Sequence, residues 1–197
     1  MRINAFSLAF RQPDSASESK MKFETLEIKG CFLIKPTITR DERGFFIKPF
    51  VASEFQAKSL KTNFVEYYYS RSKRKVIRGM HIQSPPHDYS KLVSCISGVV
   101  IDVLLDLRKN SDYGRYLSIE LSMKNGHTLY IPQGVAHGFM VKSRSATMIY
   151  NVTSEYKPDK DIGIKWDSFG FDWSIQDPII SERDRSFATF QRFITPF

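Results

Sequence analysis

Between Val76 and Arg108 the chain reads VIRGMHIQSPPHDYSKLVSCISGVVIDVLLDLR, which sets Arg78, His81 and Lys91 around the Pro85-Pro86 turn. An arginine grips a phosphate through two parallel N–H donors, and a lysine stabilises the oxyanion of a developing enolate. An imidazole titrates near neutrality, so a histidine between two fixed cations is suited to general acid–base work. His87 belongs to the same stretch, and the Val/Ile/Leu-dense run Val99–Leu107 supplies an apolar wall. Cationic and titratable groups on short strands, backed by such a wall, describe a pocket for an anionic substrate.

Other chemistries find less support. His81-Ile82-Gln83 and His137-Gly138-Phe139 lack the His-x-His plus carboxylate spacing of a metal site, and no Cys-x-x-Cys occurs, so the expectation is no metal and no cofactor. There is no Gly-x-Ser-x-Gly, and neither cysteine has a histidine near it in sequence. Neither a phosphate loop nor a dinucleotide fingerprint is present. The net charge of +8 calls for an anionic partner, either nucleic acid or a phosphorylated metabolite. The densest basic run, Arg71-Ser72-Lys73-Arg74-Lys75, has no interleaved aromatics and no helical stripe; it reads as a solvated turn, which disfavours nucleic acid.

The elements that must position these groups are short strands. At 197 residues and 42% hydrophobic content the chain suits one domain with a sizeable core, and sixteen Phe with nine Tyr favour sheet over helix. Residues 1–20, polar from Pro13 to Lys20, read as a flexible N-terminal extension ahead of a single domain over residues 21–197. The apolar stretch Ile3–Phe10 has only Arg2 before it and meets Arg11 and Pro13 soon after, which does not suit a signal peptide. No apolar run approaches the ~18 residues of a membrane span. Cys31 and Cys95 are too few for a disulfide framework, and Cys95 in an apolar strand reads as a buried free thiol, so a reducing cytoplasm fits.

Strands are expected near Cys31–Ile34 and Phe45–Phe50, joined through a turn at Asp41–Gly44, with a short helix N-capped by Ser53 and running through Leu60. Further strands are expected at Phe64–Ser70, Val76–Gln83, Lys91–Ile96, Val99–Leu107, Tyr116–Ser122, His127–Ile131, His137–Val141 and Thr147–Thr153. Ser97-Gly98 makes a tight hairpin, and a short helix near Arg183–Phe193 closes an otherwise irregular tail. Alternation in Val99–Leu107 turns Ile101, Val103, Leu105 and Leu107 one way, and Val100, Asp102, Leu104 and Asp106 the other. Asp102 and Asp106 then form either a paired acidic site or, the favoured reading, sheet-face carboxylates meeting basic neighbours or water. Strands at this spacing with Gly/Pro turns define an all-β sandwich or barrel.

An ordered series of motifs adds a resemblance. Asp41-x-Arg43-Gly44-x-Phe46, Arg78-Gly79-Met80-His81-Ile82-Gln83, Lys91-Leu92-Val93, Gly98-x-x-x-Asp102-Val103 and Asp106-Leu107-Arg108 come first. Pro132-x-Gly134-x-Ala136-His137-Gly138-Phe139, Tyr150 followed by Tyr156, and Ile180-Ser181-x-x-Asp184 complete the series. Together these resemble the dTDP-4-dehydrorhamnose 3,5-epimerase family, in order, across residues 24–185. The resemblance implies a cupin-type jelly roll with a few short helices, needing no metal or cofactor and forming a homodimer whose N-terminal strands cross to wall the partner's site. It also implies a nucleotide-sugar substrate, a 4-keto-6-deoxyhexose most simply linked to dTDP, whose ketone acidifies C3 and C5.

Position by position, the resemblance makes His81 the base, Asp184 the carboxylate that orients it, Lys91 the group that stabilises the enolate oxygen, and Tyr150 the acid on the far side. Arg78, His137 and Arg43 match positions that hold the phosphates and sugar, with Phe46, Gln83, Tyr156, Asp161 and Arg183 at or beside further contacts. Three positions depart: Lys48 stands where the family usually has a glutamate, and Glu66 and Tyr68 stand where it has a glutamine and an asparagine. Asp161 in place of a common glutamate is milder. These positions touch the nucleotide or sugar hydroxyls, so a changed nucleotide, or epimerisation at one carbon, stays open beside the 3,5-epimerase reading. So do a ketoisomerase, a non-catalytic sugar-nucleotide-binding cupin and a metal-dependent cupin.

Overall fold

Two antiparallel sheets laid face to face account for most of the chain, and the computed structural model describes residues 21–197. The expected extension, residues 1–20, lies outside the described residues. The first half comprises β1 (Lys22–Thr25), β2 (Phe32–Lys35), β3 (Ile38–Asp41), β4 (Gly44–Ile47), α1 (Ala52–Gln56), β5 (Glu66–Lys73) and β6 (Ile77–Gln83). The second comprises β7 (Lys91–Ser97), β8 (Val99–Asp106), β9 (Tyr116–Ser122), β10 (Thr128–Ile131), β11 (Val135–Val141), β12 (Ser145–Val152), β13 (Asp161–Gly163) and α2 (Glu182–Ser186). One sheet runs β1-β2-β10-β7-β12-β5 and the other β13-β6-β11-β8-β9, while β3 and β4 form a separate hairpin. This is the jelly roll that the resemblance implies. Among the described residues no helix is long and apolar enough to cross a membrane.

Alternation decides what each face carries. On β8, Val100 and Leu104 enter the cluster between the sheets, while Val103, Leu105 and Leu107 join a second cluster under Trp173, Phe169 and the rest of the C-terminal segment. A third cluster buries Leu92 and Tyr130 on the outer face of the six-stranded sheet beneath Phe55 of α1. Each such fully buried side chain contributes roughly 1.5–3 kcal/mol. Asp102 and Asp106 do not form an acidic pair: Asp102 meets His137, and Asp106 meets Arg108 at 2.7 Å and Ser111. Cys31 and Cys95 are both buried free thiols.

Several local expectations need correction. Ser53 does not cap α1; Val51 occupies the cap position without a side-chain bond, and the helix stops at Gln56, ahead of a turn in which Ser59 takes a left-handed φ of 57°, with Phe55 its buried residue. The basic run is only partly a turn: Arg71, Ser72 and Lys73 pair with β12, and alternation sends Ser72 inward. The strands β1 and β3 are too short and too charged to read from pattern, as Lys22-Phe23-Glu24-Thr25 and Ile38-Thr39-Arg40-Asp41 illustrate. Pro49, which lacks an N–H, follows the end of β4 at Ile47. The tail carries β13 and a short α2 ending at Ser186, with a separate turn of 3-10 helix at Phe190–Arg192.

One irregularity positions the site. His81 pairs with His137 and Arg78 with Phe139, so β6 spends one more residue than β11 between the two pairs. In a regular strand Arg78 and His81 would face opposite sides. Here Ile77 and Met80 both join the outer cluster, and Arg78 and His81 both turn to the interior cavity. The strands approach so closely at this bulge that a Cβ on Gly79 (φ +127°) would lie 2.5 Å from Gly138 Cα.

Gly79→Ala is therefore expected to destabilise the fold by roughly 2–5 kcal/mol, the sum of backbone strain and overpacking. Gly44, at φ +123° with nothing within 4 Å, isolates the backbone part; Gly44→Ala should cost about 1–3 kcal/mol. Urea midpoints of the two variants check the difference.

Candidate active site

The inner faces of the two sheets part to enclose a cavity of about 320 Å³. Arg78, His81 and His137 reach it from the five-stranded sheet, and Glu66, Tyr68, Lys91 and Tyr150 from the six-stranded one. Tyr89, Tyr156, Asp161 and Arg183 complete its rim.

His81 is held from behind. Its Nε2 lies 2.9 Å from Oδ1 of Asp184, while the bulge N–H of Gly79 donates to Oδ2 of the same carboxylate at 3.1 Å. Asp184 is fixed in turn by the first turn of α2, where its N–H donates to the capping hydroxyl of Ser181. Burial pushes the Asp184 carboxyl up, but the hydrogen bond and charge of His81, with Gly79 and Ser181, outweigh it and hold the group below the usual carboxylate range. With Nε2 turned to the carboxylate, Nδ1 is the nitrogen left for the cavity.

His137 is oriented the same way, by Asp102 at 2.8 Å, and both are buried. Burial raises the Asp102 carboxyl, against the pull of His137 and Lys91. Lys91 is itself buried: desolvation brings its ammonium from 10.5 down to about 8, with Asp161 and Asp102 opposing. Its Nζ lies 5.1 Å from the centre of the Tyr89 ring.

Across from His81, Tyr150 is almost fully buried, and desolvation raises its phenol, with the Ser70 hydroxyl pulling the other way. Its ring stacks on Tyr68 at 4.7 Å between centroids and meets His137 edge-on at 6.0 Å. Burial likewise raises the phenols of Tyr68 and Tyr89, so all three stay proton donors at neutral pH. At the rim Asp161 pairs with Arg183 at 2.6 Å, and Glu66 accepts the Tyr156 N–H at 2.7 Å. Arg78 anchors its Nε on Ser72 Oγ at 2.9 Å and leaves the rest of its guanidinium on the cavity wall.

Four expected site residues stand elsewhere. Arg43, Phe46 and Lys48 belong to or flank the β3–β4 hairpin, are exposed, and lie outside this cavity; Arg43 pairs with Asp41 two residues back. Gln83 is fully buried, and its amide is spent on backbone: it donates to the His87 and Glu155 carbonyls and accepts from Lys157 N–H. It ties together the loops that carry Tyr89 and Tyr156 rather than facing the cavity. Conversely, Ser70, Tyr89 and Phe139 line the cavity without having been singled out. Period-2 spacing from Glu66 and Tyr68 and from His137 is the signal for Ser70 and Phe139, whereas Tyr89 sits in the loop ahead of β7.

A jelly roll with two carboxylate-oriented histidines, a buried lysine and a buried phenol around a small cleft fits the class of proton-transferring sugar isomerases. The comparisons narrow this. Residues 25–192 match the dTDP-4-dehydrorhamnose 3,5-epimerase family. A relative of that name from Methanothermobacter thermautotrophicus is 40% identical over 85% of this chain and 94% of its own, and one from Escherichia coli 36% over 85% and 94%. The Legionella pneumophila dTDP-6-deoxy-D-glucose-3,5-epimerase in complex with dTDP-4-keto-L-rhamnose superposes with a TM-score of 0.84 at 32% identity, covering 89% of this chain and 95% of that one. A 3'-monoepimerase from Streptomyces bikiniensis in complex with dTDP-quinovose gives 0.79 at 26%, covering 83% and 85%. The chain belongs to the dTDP-4-dehydrorhamnose 3,5-epimerase family. It is an isomerase acting on carbohydrates.

The lowered ammonium pKa of Lys91 has a stability consequence. Between about 8 and 10.5 the unfolded chain holds a proton on this lysine that the folded one has released, so the cost of burying Lys91, full below pH 8, is relieved as pH rises through that window. Lys91→Met should therefore be more stable than the parent at pH 7 by up to about 3 kcal/mol, at ~1.36 kcal/mol per pKa unit, and lose most of that advantage by pH 10. Paired denaturation curves at the two pH values check this.

Proposed function

We propose that the protein epimerises a nucleotide-linked 4-keto-6-deoxyhexose, dTDP-4-dehydro-6-deoxy-D-glucose, at C3 and C5 through an enolate. The observation that carries this reading is the Asp184-oriented His81 facing a cavity whose opposite wall holds the buried phenol of Tyr150. His81 takes the proton from carbon beside the ketone through Nδ1, while Asp184 stabilises the imidazolium that forms. The electrons move into the C4 carbonyl, and the Lys91 ammonium stabilises the resulting oxyanion. Tyr150 returns a proton to the other face and inverts the centre. Arg78 and His137 hold the anionic and hydroxylated parts of the substrate from the same wall as the base, and Arg183 and Tyr156 from the rim. No cofactor is called on, because the ketone itself supplies the electron sink.

The same reading includes a homodimer in a reducing cytoplasm. The β3–β4 hairpin carries Arg43 and Phe46, with Lys48 just beyond it, on an exposed arm remote from its own cavity; exchange of N-terminal strands would bring that arm to the partner's site. A single-carbon epimerase is the second reading. Tyr68 favours it, since a large ring occupies a position where the family usually has an asparagine, and a 3'-monoepimerase is among the structural neighbours.

Proton NMR with dTDP-4-keto-6-deoxy-D-glucose in D₂O tests both. Deuterium is expected at C3 and C5, falling by roughly 10²–10⁴-fold in His81→Ala, the range for losing a general base. Exchange at one carbon alone selects the second reading, and no exchange overturns both. Asp184→Asn should lower the rate with less effect on substrate affinity, and activity should decline above pH about 8 as Lys91 loses its proton.

A further inference from the structure

Tyr68 and Tyr150 are direct cross-strand partners on β5 and β12, so their side chains share the inner face. The rings lie 16° from parallel. The same Tyr150 ring has His137 edge-on beside it, so it is clamped by Tyr68 and His137. Tyr89 lines the same cavity, and its ring lies beneath the Lys91 ammonium. Tyr68 is the exposed member of the stack at 37%, against 6% for Tyr150.

We propose that Tyr68 is a positioning residue that, by stacking on Tyr150, fixes the phenol along the sugar ring and so sets the ratio in which C3 and C5 exchange their protons. This rests on the epimerase reading above. The two carbons flank the ketone, so a phenol confined to one place reaches one of them better than the other. Double and single epimerases share this fold among the neighbours, which places the choice of carbon in side-chain detail rather than in the backbone.

The experiment measures deuterium entry at C3 and C5 in the same sample of dTDP-4-keto-6-deoxy-D-glucose, for the parent, Tyr68→Phe and Tyr68→Leu. The ratio is internal to each tube, so a loss of folded protein does not move it. Tyr68→Phe keeps the stack and should keep the ratio. Tyr68→Leu removes the stack and should shift the ratio roughly two- to tenfold, the range a lost aromatic pair produces. A Tyr68→Leu variant that slows both carbons by one common factor overturns the inference and leaves the epimerase standing. A Tyr68→Phe variant that shifts the ratio as far as Tyr68→Leu assigns the effect to the Tyr68 hydroxyl and overturns the stack. A parent with no exchange at either carbon overturns the epimerase reading and this inference with it.

Discussion

A single carboxylate joins the irregular backbone of β6 to the imidazole it presents. One oxygen of Asp184 accepts the N–H that the bulge leaves out of the ladder at Gly79, and the other takes His81 Nε2. The bulge is what lets Arg78 and His81 share a face, and a bulge amide buried without a partner would cost about 1–3 kcal/mol. Asp184 supplies that partner from more than a hundred residues away. The backbone defect and the orientation of the imidazole are thus stabilised by one group, and neither survives its loss unchanged. Because its carboxyl lies below the usual range, this contribution is present above the ordinary carboxylate pKa and fades as pH falls through the lowered value.

The electrostatics around this pair follow from burial. Lys91, Asp102, His137 and Tyr150 are all buried. Buried charges persist only when paired, which is why Asp102 is matched to His137 and Lys91 feels both Asp161 and Asp102. The Lys91 ammonium sits close to neutrality because of the same desolvation that strengthens its pull on a developing negative charge.

Much of this is legible in the amino-acid sequence. The alternation of Val99–Leu107 gave both faces of β8 and grouped Asp102 with Val100 and Leu104, though not that this face is the inner one, and the Gly/Pro punctuation gave nearly every long strand. What period-2 reasoning mishandles is β6: it would split Arg78 from His81, and only the register against β11 reveals the extra residue. The His81–Asp184 contact was visible through family resemblance alone, since no local pattern links a strand to a five-residue helix so far along the chain. Gln83 misled for a related reason. A polar residue two positions from His81 has the right parity for the cavity, but a buried amide must fill all its bonds, and the nearest partners were loop backbone. Tyr89 escaped notice because its loop has no periodicity to read.

The division of the cavity between two sheets has a consequence for how such a site changes over time. The oriented histidines belong to one sheet and the phenol and lysine to the other, with packed side chains between them. Each sheet is a stiff hydrogen-bonded unit, so a substitution on one wall leaves the other in register and the two meet chiefly through whatever lies between them. Glu66 and Tyr68 can therefore change without disturbing the register that holds His81 against Asp184. The molecule works as a vice whose two jaws each keep their own geometry.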